Sequence, residues 1–487
     1  MHRLKQSVFL RKLRVSLFCL PLLSLFLLPQ LFFGYLVPQK TSTEVIHTSA
    51  GDVTHTEYRT ENPNFTQYIR IYKDAQNTAV RTDRFLPEGE ARTHESKVLT
   101  VTGSGTLRTY DRKANKWSET PLRAGTYPKG MYFVRADGCD SIIVTPLAYR
   151  DRGTGMIEYL PGSDGTLEVT ETRDGFALSV KSGSVPVGAF SDSLALTSEQ
   201  LLFDWNDSDT LTHWQNYRFT DDNRWCFDGY YAPSPGTYVP TGTNVFFRNP
   251  ASYLTKSFLY QTKSSRTAVD LSIAMLDTLI REQNSDGFWP TLSGSTWLES
   301  AYGIGPGFYD TRFNTEFAFL LLEAQSRCPS ELYRDSLRRY CDFFADFAED
   351  FHSETGSGGW FVPDYVDSSL TRTAHTSLNH QLAEILLLYK AADVLEDRSL
   401  AALADRMLTA VDDSGESWVR EDDDLHYQVS PDGVFEGIDY PYLTYDDLFK
   451  LQKYLNARFS RNDPVLDTLM AHKRAWMDEN GVTAYMK

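Results

Sequence analysis

The sequence predicts an α+β multidomain chain: an N-terminal membrane helix, a β-rich domain, and then a helical domain of α/α toroid-like form. Three observations lead there. A run without charged residues, Val15 to Val37, follows a basic leader. From residue 51 to 250, short β-branched and aromatic runs are cut by turn formers, which is the pattern of strands. After Lys256 apolar residues recur at helical spacing in one segment after another.

The leader carries Arg3, Lys5, Arg11, Lys12 and Arg14, and the uncharged run of about 23 residues is long enough to cross a ~30 Å hydrocarbon layer. Positive charge ahead of the run keeps the N-terminus cytoplasmic and sends the remainder outward. A cleaved signal has a shorter apolar region and a small-residue cleavage site, and neither precedes Pro38. Residues 1–40 therefore read as a cytoplasmic tail and single-pass signal anchor, with secretion after cleavage as the alternative. Residues 41–50 read as a polar linker.

Within the β-rich domain, 51–250, alternation is clearest from Thr166 to Val180, where Leu167 and Val169 face Phe176, Leu178 and Val180 across an Arg173-Asp174-Gly175 turn. The stretch 201–250 holds Trp205, Trp214, Tyr217, Trp225, Tyr230 and Tyr231. It is either a sugar platform or a cap on the junction between domains. In the helical domain, 251–487, Val269, Ile273, Leu276 and Ile280 open the pattern, and six further helices are expected at 314–326, 330–351, 376–395, 399–411, 445–459 and 464–479. Antiparallel αα-hairpins arranged as an incomplete toroid would bury all their inner faces. GFWP at 287–290 and GWFVP at 359–363 each follow a helix and mark equivalent loops.

Composition narrows the function. With 48 basic and 65 acidic residues the net charge is -17, so no basic surface is available for a phosphate backbone and nucleic acid is not a partner. The same charge repels an acidic polysaccharide at long range, so such a substrate needs a locally basic cleft. Of the five cysteines, Cys19 falls in the apolar run; Cys139 and Cys226 are a candidate bridge if the chain is exported, and free buried thiols are the alternative. No thiolate metal site, cofactor motif or nucleotide loop is present, so neither metal nor cofactor is expected. Homodimerisation is left open.

Three segments carry candidate chemistry. Asp364 and Tyr365 follow Trp360 and Pro363, with Arg372 and Asn379 next in the chain. A tyrosine, with its ordinary pKa near ~10, serves as a base only when its surroundings stabilise phenolate, and then suits proton exchange with carbon. The second segment runs from Asp422, Asp423 and Asp424 through Tyr427 to Asp439 and Tyr440; runs of carboxylates are otherwise solvated faces or helix caps. In the third, Tyr309, Asp310, Arg312 and Glu316 stand before a helix, where Arg312 offers the forked contact a uronate carboxylate prefers.

With these residues in view, the second half of the chain, Lys256 to Leu455, resembles the catalytic domain of the D-glucuronyl C5-epimerase family, which converts glucuronate to iduronate in heparan-type chains. The resemblance rests on GFWP, GFYD, WFVPDY, SLNHQLAEILLLY and DYPYLTYDDLFKLQ taken together. It implies an acidic polysaccharide substrate and acid/base roles for Tyr365, Tyr427 and Tyr440 with Asp364. Trp360, Tyr309, Asn379, Arg312 and Arg372 are then expected against substrate, one of the arginines neutralising the uronate. A polysaccharide lyase, a glycoside hydrolase using Asp310, Glu316, Asp364 or Asp439, and a non-catalytic membrane-anchored glycan-binding protein are the alternatives.

Overall fold

The computed structural model describes residues 38–217, 219–221, 224–250, 253–262 and 265–487. The predicted membrane segment lies outside the described residues up to residue 37; among those described, no helix is long and apolar enough to cross a membrane. The linker expected at 41–50 is instead a strand, Gln39–Thr48, paired antiparallel with Gly51–Asn62. Thr41, Thr43, Val45 and Ile46 are β-branched and favour that pairing, and Ile46 is buried by it.

Among the described residues the strands of the first half form a 13-stranded sheet and a separate four-stranded one. The expected hairpin is present, Thr166–Glu171 against Gly175–Lys181, with Leu167 opposite Val180 and Val169 opposite Leu178. Those four pack with Leu107, Tyr132, Val134 and Ile143 of the large sheet, closing a core between the sheets. The aromatic stretch after residue 200 is a junction: Phe203 and Trp214 pack on Phe133 of the sheet and Phe258 of the helical half. Cys139, Cys226, Cys328 and Cys341 are free thiols, so the candidate bridge does not form.

The helices, in chain order, are α1 (Ser208–Gln215), α2 (Tyr253–Gln261), α3 (Arg266–Arg281), α4 (Thr296–Tyr302), α5 (Thr311–Arg327), α6 (Glu331–Phe351), α7 (Leu378–Leu395), α8 (Arg398–Ser414), α9 (Leu443–Phe459) and α10 (Pro464–Glu479). Short connections fold α5 onto α6, α7 onto α8 and α9 onto α10 as hairpins. α3, α5, α7 and α9 lie side by side as an inner row, and α6, α8 and α10 pack outside them. Burial follows position, since 14 of the 18 residues of α7 and 14 of the 16 of α3 are buried. A helix apolar all round belongs inside. The sheet covers the other side of α3, through strands Phe65–Asp74 and Ala79–Pro87.

Candidate functional site

Three short strand pairings gather loops at the N-terminal ends of α4, α5 and α7. Tyr309–Asp310 pairs with Tyr365–Val366 just before α5, Asp310 facing Tyr365. Thr376–Ser377 pairs with Gln428–Val429 just before α7, and Tyr238–Val239 from the sheet half pairs with Gly294–Ser295 just before α4. These pairings carry side chains more than a hundred residues apart into one place.

His375 is at its centre. Its ring lies 5.8 Å from Trp297, 5.6 Å from Tyr302, 6.0 Å from Tyr365 and 5.5 Å from Tyr427. Tyr440 then meets Tyr427 edge to face at 5.7 Å. Tyr365, Tyr427 and Tyr440 therefore form a connected aromatic group although they come from separate loops. Tyr440 and Trp297 are 47% and 40% exposed, whereas His375 is 1% exposed and Asp364 fully enclosed, so an open aromatic rim leads down to buried ionisable groups.

Asp364 accepts the Ser377 backbone N–H at 2.8 Å, and its other oxygen lies 3.3 Å from His375 Nε2 and 3.6 Å from His380 Nδ1. Burial pushes its pKa up, but His380, His375 and Ser377 outweigh burial and hold it below the ordinary carboxylate value. Burial also pulls His380 down to about 4, so at neutral pH that ring is uncharged. Asp310 behaves oppositely: burial raises it to about 7, against the Phe313 backbone N–H that it accepts as the cap of α5. The phenols of Tyr365, Tyr427 and Tyr440 are all pushed up, chiefly by burial. At neutral pH they are proton donors.

Several buried polar atoms here have no hydrogen-bond partner: Asp364 Oδ2, His375 Nε2, Ser377 Oγ and Asn379 Oδ1. Buried polar atoms are nearly always paired, so these are atoms that a water or a sugar hydroxyl could satisfy. No cluster of three or more His, Cys, Asp or Glu among the described residues has metal-binding geometry. A cavity of about 450 Å³ adjoins the site and is lined by Pro363, Ala374, Thr376 and Val429 but by none of the tyrosines.

The other residues expected against substrate are placed differently from the phenols. Tyr309 is fully enclosed, its hydroxyl 3.0 Å from that of Tyr340 and its ring against Phe288, Phe343 and Phe347. Neighbours in a strand face opposite ways, so Asp310 meets the site and Tyr309 the core. Trp360 stacks on His352 at 3.8 Å with Arg406 above it, away from the phenols. Asn379 is 2% exposed in the first turn of α7. Arg312 is bound to Asp447 at 2.6 Å and to the Asn379 carbonyl at 2.9 Å. Arg372 is exposed and donates to the Gly303 carbonyl at 2.8 Å. The residues that sequence reasoning passed over are His375, His380, Trp297 and Tyr302; the available signal was two histidines bracketing the Ser-Leu-Asn start of α7.

No family model and no curated protein matches this sequence. Partial likenesses to solved structures exist. A D-mannose isomerase is 12% identical over 47% of this chain and 59% of its own, with a TM-score of 0.36. A cellobiose 2-epimerase from Spirochaeta thermophila is 15% identical over 46% and 57%, with a TM-score of 0.36. A family 76 glycoside hydrolase from a bovine Bacteroides thetaiotaomicron strain is 10% identical over 91% and 78%, with a TM-score of 0.37. The chain thus spans less than two thirds of the isomerase and of the epimerase.

Proposed function

We propose that the chain is a carbohydrate epimerase that inverts C5 of uronic acid residues in a polysaccharide, removing the C5 proton from one face and returning a proton to the other. The observation that carries this reading is that Tyr365 and Tyr427, from distant loops, meet the His375 imidazole beside the ionised Asp364, with Tyr440 against Tyr427. Such a reaction needs an acid and a base on opposite sides of a sugar ring, and positioned acid/base groups each contribute about 100- to 10,000-fold. Tyr427 or Tyr440 serves one face, and Tyr365 with Asp364 the other. Because Arg312 is held by Asp447, the substrate carboxylate is met by hydrogen-bond donors, the protonated phenols and Asp310 below about pH 7, more than by a free cation. In this reading residues 15–37 anchor the enzyme and it meets an acidic polysaccharide outside the cytoplasm.

The ionised Asp364 beside the phenols favours a second reading, the same proton exchange on an uncharged sugar, since that carboxylate would repel a uronate. One experiment separates them. Uronate polymers and neutral oligosaccharides are each incubated with the protein in deuterated water and followed by NMR. Deuterium at C5 of a uronate supports the first reading; exchange confined to a neutral sugar supports the second. New reducing ends or an unsaturated chromophore would replace both with a hydrolase or a lyase. Tyr365→Phe, Tyr427→Phe and Tyr440→Phe should each lower exchange at least about 100-fold with glycan binding little changed, and undiminished exchange in all three removes these phenols from the chemistry.

A further inference from the structure

The phenols of the site share a difficulty: each is held protonated at rest by its burial, yet proton abstraction from carbon needs a base. Tyr302 is placed differently. Its hydroxyl lies 2.7 Å from His375 Nδ1, and the opposite nitrogen of that imidazole lies 3.3 Å from Asp364 Oδ2. An ionised carboxylate can only accept, so the ring proton belongs on Nε2, toward Asp364. Nδ1 is then an acceptor, and the Tyr302 hydroxyl donates to it. The Tyr302–His375 contact is a hydrogen bond, while Asp364 Oδ2 stands 3.3 Å from Nε2 as a close charge without a formed hydrogen bond, and a buried acid next to an imidazole favours its taking a hydroxyl proton. Among the described residues, Tyr365, Tyr427 and Tyr440 make no hydrogen bond of this kind to an imidazole.

We propose that Tyr302 is a further acid/base residue of this site, and that His375, oriented by Asp364, accepts and returns its hydroxyl proton. This rests on the epimerase reading above. Tyr302 ends α4, which Gly303 stops with a left-handed backbone, φ 68°. Its ring stands edge-on to the exposed Trp297 at 6.1 Å, so the half-buried hydroxyl lies between the open rim and the enclosed His375–Asp364 pair. Burial raises the Tyr302 phenol too. Phenolate is therefore not the resting state; it forms as its proton moves.

The step balances without an oxidant or reductant. The C5–H bond breaks, its electron pair passes into the adjacent carboxylate as an enolate, and the proton forms an O–H bond at Tyr302 Oη. The original Tyr302 proton moves to His375 Nδ1, and the imidazolium is stabilised by Asp364. The opposite face is reprotonated by the hydroxyl of Tyr427 or Tyr440. Exchange with water resets both sides.

The test uses the full chain and the polymer on which it shows exchange, with C5 deuterium read by NMR and affinity read by tryptophan fluorescence. Tyr302→Phe should lose about 100-fold or more of exchange while the Kd stays within about threefold. His375→Ala should lose exchange and regain it on addition of imidazole, and Tyr302→Phe/His375→Ala should show no such rescue. Exchange by Tyr302→Phe within about threefold of the unaltered protein, or rescue of the double variant equal to that of His375→Ala, overturns the proposal while leaving the epimerase reading intact. Absence of exchange by the unaltered protein on every uronate polymer overturns both.

Discussion

Glu384 is the most consequential single ionisable residue of the helical core. It lies inside α7, accepts hydrogen bonds from Tyr340 Oη at 2.7 Å and from Thr315, and leaves Oε2 without a partner. Burial raises its pKa to about 8, against those two hydrogen bonds. The folded state thus holds a proton that the unfolded chain releases near the ordinary carboxylate pKa. Between those values the folded state binds more protons, so stability falls as pH rises, by up to about 1.4 kcal/mol per pH unit for one group, and levels off above about 8. Glu384→Gln keeps the acceptor oxygen and removes the titration. Thermal melts from pH 5 to 8 should show a shallower decline in the variant, the remaining slope ending near pH 7, where Asp310 and Asp270 finish titrating; an unchanged slope would exclude Glu384 as its source. At this scale the sequence draws attention to Asp364, Tyr365 and Tyr440 through the prolines next to them, Pro363 and Pro441. It could not separate Tyr309 from Asp310, since which of two neighbours faces the core depends on a strand pairing with Val366 and Tyr365, far along the chain.

Among the elements, α10 sets the position of two phenols it never contributes. Its Lys473 is fully buried, paired with Asp424 and, at 2.9 Å, with Asp439. Those aspartates stand three residues before Tyr427 and one before Tyr440, so one ammonium ties together both loops. Gly437 permits the same approach: its φ is 85°, and a Cβ there would lie 3.0 Å from Tyr427 Cβ. Removing one member of a buried ion cluster leaves charge without compensation and costs about 3–5 kcal/mol. Lys473→Met should therefore lower urea stability by about that amount and reduce exchange through displaced loops. A loss below about 1 kcal/mol would show that the cluster does not hold them. All seven expected helices form, their ends within three residues of those expected, because apolar periodicity and capping residues such as Ser265, Asp397 and Asp463 are local signals. The Asp422–Asp424 run was ambiguous because its cation lies 49 residues further along the chain. α2 and α4 were missed as too short to show a period.

On the scale of the whole molecule, the change from strands to helices near residue 250 is a change of secondary structure within a continuous core. Val53, Tyr72, Val144 and Leu194 of the sheet share one apolar cluster with Phe258, Leu271 and Ala274 of the helices. Polar links cross at the same place. Tyr72 donates to Asp277 at 2.7 Å, Arg281 reaches His55 at 2.8 Å, and Arg266 pairs with Asp74 at 2.8 Å. The sheet also contributes the Tyr238–Val239 strand that sets the start of α4, and with it Trp297 and Tyr302. Since α3 lies between the sheet and α5, a fragment of residues 265–487 would expose one apolar side of it and leave Asp277 without Tyr72. Exposed apolar area of that kind drives association. The fragment should aggregate or bind a hydrophobic dye, whereas residues 38–487 should unfold in one transition with coincident circular dichroism and tryptophan fluorescence. A fragment that stays monomeric and melts near the temperature of the longer chain would mean that the helical half is stable without the sheet, and that the sheet's contribution to the site is confined to placing α4.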